Sequence, residues 1–241
     1  MYKNEEQERP LNGETTAVYE NAKTYWGGVE CSVNGMLGGF QHLSAADVAD
    51  SKKFLRMIMN TLKISTHVRA LDCGSGIGRV SKFVLLPTFD EVDMVDVTQS
   101  FLDKSVAYIG PALNPKVRRR ICSGLQEFVP ESNLYNVIWI QWVAGQLTDD
   151  DLVTFLQRCR AALKFNDSSK EGEKMEGGVI VLKENMSSSE DRDFDEEDNS
   201  WTRSYKSWLE IFKKAGLKVI KEKKQTNFPK EIYEVRMFAL L

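Results

Sequence analysis

Two short groups of residues and one strand end could do chemistry in this chain. The first group is DCGSGIGR, residues 72–79, in which Gly74, Gly76 and Gly78 permit a tight turn and close backbone approach to a ligand. The dinucleotide fingerprint needs its third glycine at position 79, where Arg79 stands. A P-loop is excluded because no Gly-Lys-Ser/Thr follows. The second group is the acid Asp96, which lies 24 residues after Asp72 and ends the next strand-like run. That spacing places a carboxylate where a ribose diol donates hydrogen bonds. Arg79 in the first helical turn suits a ligand carboxylate near a helix N-terminus. A nucleoside with an amino-acid tail satisfies both ends, and S-adenosylmethionine has that shape. The bland reading, a βα turn with no ligand, stands beside it.

The strand end is YNVIWIQWVAGQLTDDD (135–151), in which a run buried on both faces ends in Gln141 and Trp142. The elements that must position these groups alternate between strands and helices. HVRALDCG precedes a helix from Ile77 to Leu86, and EVDMVDVT precedes one from Gln99 to Tyr108. VRRRICSGL leads through a loop to the YNVIWIQWV strand and a helix from Asp149 to Leu163. GGVIVLKEN, a polar loop and a helix from Tyr205 to Ala215 follow. LKVIKEKKQ and IYEVRMFAL close the chain with no helix between them. This alternation predicts an α/β fold with a seven-stranded, mostly parallel sheet and an antiparallel last strand. Residues 1–14 read as disordered, and 15–60 as a helical extension and substrate lid. Residues 61–241 read as the catalytic domain. Within the extension, a helix runs through Val48, Ser51, Phe54, Leu55 and Ile58, opened by a capping box at Ser44–Asp47. Residues 165–178 read as a hydrophilic, mobile insertion.

Composition narrows the classes. With 42% hydrophobic and 28% charged residues and a net charge of −3, the chain reads as an ordinary globular protein without a basic field for nucleic acid. Its apolar runs are of strand length, so no membrane span is expected. The polar N-terminus is unlike a signal or transit peptide. Cys31, Cys73, Cys122 and Cys159 are scattered without a CxxC pair and read as reduced thiols. With only His42 and His67, neither a metal site nor a histidine triad is expected. These features suggest the cytoplasm, with the nucleus as a second compartment.

LDCGSGIGR, EVDMVD, CSGLQEF and WIQWVAGQLTD together resemble the Rossmann-like class I S-adenosylmethionine methyltransferases. AKTYW, NGMLGGF, VLKEN, DEEDNS and EIYEV narrow the resemblance to the protein N-terminal (alpha-N) methyltransferases, from about Asn21 to the C-terminus. The resemblance implies methylation of the free alpha-amino group of proteins beginning X-Pro-Lys/Arg after methionine removal, ribosomal proteins among them. It implies S-adenosylmethionine as donor, leaving S-adenosylhomocysteine. Cofactor contacts carry over to Gly74, Gly76, Arg79, Asp96, Leu125, Gln126 and Gln141. Substrate contacts carry over to Trp26, Leu37, Gly38, Trp142, Asn185, Asp195, Asp198 and Tyr233. The family has a proton-accepting histidine where this chain has Gln146, and glutamine accepts no proton at neutral pH. That leaves Asp198 as the expected acceptor, with Asn185 and Gln146 orienting the peptide.

Gln141 would then hold the cofactor, and the indole of Trp142 would wall a transfer site where sulfonium and product both carry positive charge. The bland reading of Trp142 is core at a strand end. Glu190–Asp198 holds seven acids against Arg192. It is either a solvated loop or an acidic wall selecting a cationic peptide. Two alternatives remain at this stage: a small-molecule amine methyltransferase, and a cofactor-binding interaction protein without catalysis.

Overall fold

Five parallel strands set the frame: β1 (Arg69–Cys73), β2 (Glu91–Asp96), β3 (Val117–Cys122), β4 (Val137–Gln141) and β5 (Val179–Met186). The computed structural model describes residues 12–64, 69–164 and 177–241. Side chains of β1, β4 and β5 alternate between two cores. Ala70, Val137, Trp139, Val179 and Val181 face one, whereas Leu71, Ile138, Ile140, Ile180 and Leu182 face the other. Covering both faces is what turns these strands into continuous apolar runs.

Strands β6 (Arg192–Asp195) and β7 (Ser200–Arg203) form a separate hairpin, while β8 (Val219–Lys224) and β9 (Glu234–Leu240) complete the sheet. The order β3-β2-β1-β4-β5-β9-β8 gives the predicted seven strands, with β9 antiparallel to both β5 and β8. The strand order reverses between the parallel neighbours β1 and β4. A crevice therefore opens at their C-terminal ends, where α/β sheets bind ligands.

The helices are α1 (Asn12–Gly28), the short α2 (Val33–Met36), α3 (Ser44–Leu62), α4 (Gln99–Ile109), α5 (Asp149–Ala162) and α6 (Tyr205–Lys214). Apolar residues of α3 and α4 pack on the Trp139 face, and those of α5 and α6 on the Ile140 face. Thr148 and Ser204 cap α5 and α6 by accepting from the N–H of Asp151 and Ser207.

Several expectations need correction. Helix α1 already includes residues 12–14, and residues 1–11 and 165–176 lie outside the described residues. The division at residue 60 falls inside α3, whose Phe54, Leu55 and Ile58 belong to the sheet's own core. The helix expected over 77–86 is present but shorter, opening at Arg79–Val80 and continuing as a π-helical turn over Ser81–Leu85, where Ser81 Oγ donates to Asp72 (2.6 Å). The polar stretch after β5 is ordered as the β6–β7 hairpin. Ser44 makes no cap bond, and Asp47 points into the protein rather than back at its helix. No described helix is long and apolar enough to cross a membrane.

Candidate active site

Two cavities meet at the crevice. The first is bounded by the glycine turn after β1, Asp96, Leu125 and Gln126, Gln141, and Tyr19 of α1 above. The second is wider and runs between Leu37 and Phe40, the end of β5, the hairpin and Tyr233. Trp26, Met36, Trp142 and Gln146 line both. A ligand in one cavity and a ligand in the other would touch at these four side chains.

The first cavity is shaped for a ligand with polar ends. Gly74 and Gly76 have φ of 65° and 52°. A Cβ at Gly74 would lie 2.5 Å from Val143, and one at Gly76 2.5 Å from Met36 Sδ. Asp96 is buried, with Oδ2 accepting from Gly76 N (2.8 Å) and Oδ1 from Thr98 N (2.9 Å). Burial pushes its pKa up, against these backbone donors. Arg79 Nη1 donates to Asp47 Oδ2 at 2.6 Å. The indole N–H groups of Trp26 and Trp142, the Ser75 hydroxyl and the Gln146 carbonyl are buried on these walls without a protein partner among the described residues. Buried polar groups without partners cost about 1–3 kcal/mol each, so a polar ligand stabilises this lining. Tyr19 OH donates to Asp151 at the start of α5 and accepts from Thr148 N (3.2 Å), fixing α1 across the cavity.

At the junction the backbone is strained. Trp142 has φ 53°, a conformation costing a non-glycine residue about 1–3 kcal/mol. It is held there by its N–H to Lys183 O (3.1 Å) and by Glu184 Oε1, which accepts from Val143 N and Ala144 N, both at 2.9 Å. Burial raises Glu184 to about 7 despite those donors. Arg79 Cζ and Lys183 Nζ lie 5.6 and 5.9 Å from the Trp142 ring centre, so this indole already contacts cations. Gln146 Nε2 donates to Asp198 Oδ2 at 3.3 Å, and Ser200 N donates to Asp198 Oδ1 at 3.0 Å. Burial, then nearby Asp195, raises the Asp198 pKa.

Residues 14–241 match the family model described as the AdoMet-dependent proline di-methyltransferases. The chain belongs to this family. It is similar to the alpha N-terminal protein methyltransferase 1 of Caenorhabditis elegans, 44% identical over 95% of this chain and 92% of that protein. The human N-terminal Xaa-Pro-Lys N-methyltransferase 1 is likewise 44% identical, over 92% of this chain and 94% of that protein. A solved SAM-dependent methyltransferase from Leishmania major superposes with a TM-score of 0.81 at 31% identity, covering 93% of this chain and 83% of that one.

S-adenosylmethionine is thus the methyl donor of this enzyme, and the donor set of the first cavity fits it: a carboxylate at Asp96, a guanidinium at Arg79 and glycines between. Gly74, Gly76, Arg79, Asp96, Leu125, Gln126 and Gln141 all line that cavity. Leu37, Asn185, Asp198 and Tyr233 line the second, and Trp26, Trp142 and Gln146 line both. Two residues named from the sequence stand apart. Gly38 (φ 54°) sits in the turn after α2 with open space where a Cβ would be, so its backbone angle, not crowding, favours glycine. Asp195 is exposed on β6, and its Oδ1 accepts from Glu197 N (2.8 Å). The side chain of Gln141 is held from behind. It accepts from Trp139 Nε1 (3.0 Å) and donates to Asp47 Oδ1 (2.9 Å), with one N–H and one carbonyl lone pair beyond these two bonds. That is why an amide ends the core strand: it joins an indole inside the core to a carboxylate on α3.

Sequence reasoning missed Asp47, Lys183, Glu184 and Arg203. The charged pair Lys183-Glu184 inside the apolar run VIVLKENM was a usable signal, because a charge within a buried strand needs a partner. Nothing local marked Arg203. It is fully buried, bonding Asp149 Oδ1 (2.8 Å) and the carbonyls of Ala144 (3.2 Å) and Leu147 (2.6 Å).

Proposed function

We propose that this enzyme methylates the free alpha-amino group of proteins whose exposed N-terminus reads X-Pro-Lys/Arg, with ribosomal proteins of that type among its substrates. The observation that carries the reading is the junction, where Gln146 and Asp198 stand on the substrate side of the wall shared with the cofactor cavity. Bound S-adenosylmethionine supplies an electrophilic methyl group on a sulfonium. The chain's own task is to present a neutral amine to it. An alpha-ammonium has a pKa of about 7.7–8.0, so a modest acceptor suffices, and alignment supplies much of the rate. Asp198 Oδ2 accepts the proton, and its raised pKa brings it closer to the working range of a general base. Gln146 Oε1, without a protein partner, receives an N–H of the incoming amine. Asn185, on the same wall, orients the first peptide carbonyl.

Charge and width support a peptide rather than a small amine. The second cavity carries Asp198 and Glu231 against Lys230, beside Glu184 and the ion-paired Glu234, and it extends outward to Tyr205, Phe228 and Tyr233. Such a wall favours a cationic third residue. The cytoplasm and nucleus, where such N-termini are made and used, are the compartments we propose. The test is turnover of an X-Pro-Lys peptide with a free N-terminus beside the same peptide acetylated. Methylation of the first alone is expected; equal labelling of both excludes the alpha-amino acceptor.

A further inference from the structure

Three polar side chains from separate elements converge behind the cofactor cavity on a carboxylate that does not line it. Gln141 and Lys183 are register partners on β4 and β5, and strand alternation turns both toward α3, in line with Trp139 and Val181. Helix α3 brings Asp47, fully buried, between them. Asp47 Oδ1 accepts from Gln141 Nε2 (2.9 Å) and lies 2.5 Å from Lys183 Nζ, while Oδ2 takes Arg79 Nη1 at 2.6 Å. Lys183 is anchored in turn by Ser51 Oγ (3.0 Å) and Gln225 Oε1 (2.6 Å). Among the described residues, the bond to Asp47 is the side-chain hydrogen bond of Arg79, so its remaining guanidinium donors are left for the cavity.

Burial pushes the Asp47 carboxyl up, but Lys183 and Arg79 more than offset it and hold it below the usual range, hence ionised. Asp47 thus links Arg79, which lines the cavity, to Lys183, on whose charge buried Asp50 also acts.

We propose that Asp47, contributed by the N-terminal extension, is a positioning residue for S-adenosylmethionine: it fixes Arg79 and Gln141 at the cavity wall, and Lys183 fixes Asp47. The extension then serves the cofactor half of the site as well as the substrate half. The competing account is that Asp47–Lys183 is only a structural ion pair tying α3 to the sheet.

The experiment is calorimetric titration of S-adenosylhomocysteine into the full chain and three variants, with melting temperature and peptide KM at saturating donor recorded for each. Asp47→Asn should weaken binding about tenfold or more, because a charge-assisted contact that aligns Arg79 is lost, with peptide KM little changed. Asp47→Asn combined with Lys183→Met leaves the net charge unchanged but lacks the anchor. It should regain melting temperature yet bind as weakly as the single variant, and it keeps the test open if the single variant folds poorly. Phe54→Leu, which perturbs the same helix in the core, should lower melting temperature without moving affinity. Wild-type affinity in either Asp47 variant, or an equal loss in Phe54→Leu, overturns the proposal.

Discussion

Gln146 donates through Nε2 to Asp198 and, among the described residues, keeps Oε1 without a partner, so it bridges a carboxylate and whatever amine enters the junction. It can orient a proton's path but cannot hold the proton. Asp198→Asn should therefore lower kcat by about 10²–10⁴, the usual range for general acid–base catalysis. Gln146→Ala should cost less, and Gln146→His should match or exceed the wild type by adding a second proton acceptor. Because burial raises the Asp198 pKa, its acid limb of kcat against pH should lie above the ordinary carboxylate range, and in Asp198→Asn only the limb of the substrate ammonium, about 7.7–8.0 when free, should remain. Near-normal kcat in Asp198→Asn together with loss of activity in Gln146→Ala would reverse these roles. Asp96, Arg79 and the glycines were legible because their meaning lies in spacing along the chain. Asp47 was not. Its partners Arg79, Gln141 and Lys183 lie 32, 94 and 136 residues away, so a sequence window shows only an acid near a helix start.

At the scale of elements, the short segment from Trp142 to Leu147 is held from three sides: Lys183 and Glu184 of β5, Arg203 of β7, and Tyr19 of α1 through the α5 cap. Arg203 is the tie with the largest consequence. It joins the segment that carries Gln146 to the hairpin that carries Asp198. Arg203→Met should destabilise the fold by an amount at the lower end of the ~3–5 kcal/mol seen on breaking buried pairs, since Asp149 is partly exposed. It should also lower kcat more than it weakens S-adenosylhomocysteine binding. A denaturant titration and a calorimetric Kd check both, and an unchanged kcat would show that the hairpin needs no such tie. The strands themselves were legible because sheet burial on two faces leaves apolar runs. The hairpin was not, because β6 and β7 are short and partly exposed, β6 reads as an acidic loop, and their pairing carries little apolar pattern.

Across the whole molecule, buried carboxyls of opposite tendency shape stability. Burial pushes Asp72 and Glu184 up to about 7, and raises Asp96 and Asp198 as well. The folded state keeps these protons after the unfolded chain has released its own, so stability falls as pH rises from the ordinary carboxylate range to about 7. Asp93 acts the other way. Burial opposes its charge, but hydrogen bonds from Arg119, Arg69 and Tyr135 hold its pKa below the usual value. Its contribution is present above the unfolded pKa of about 3.9 and is lost as pH falls through the lower folded one. Melting temperature should therefore pass through a maximum on the acid side of neutrality, and Glu184→Gln should flatten the fall toward neutral pH. A wild-type melting temperature that still climbs between about pH 5 and 8 would contradict this balance.

The same cavities and charges converge on one chemical statement, that the methyl group goes to the first nitrogen of a peptide chain. Fragmentation mass spectrometry of an X-Pro-Lys peptide after incubation with enzyme and S-adenosylmethionine tests it most directly. All added mass should reside on the fragment containing the first residue, and the number of methyl groups is read from the same spectrum. Methylation found on the lysine side chain instead would contradict the account.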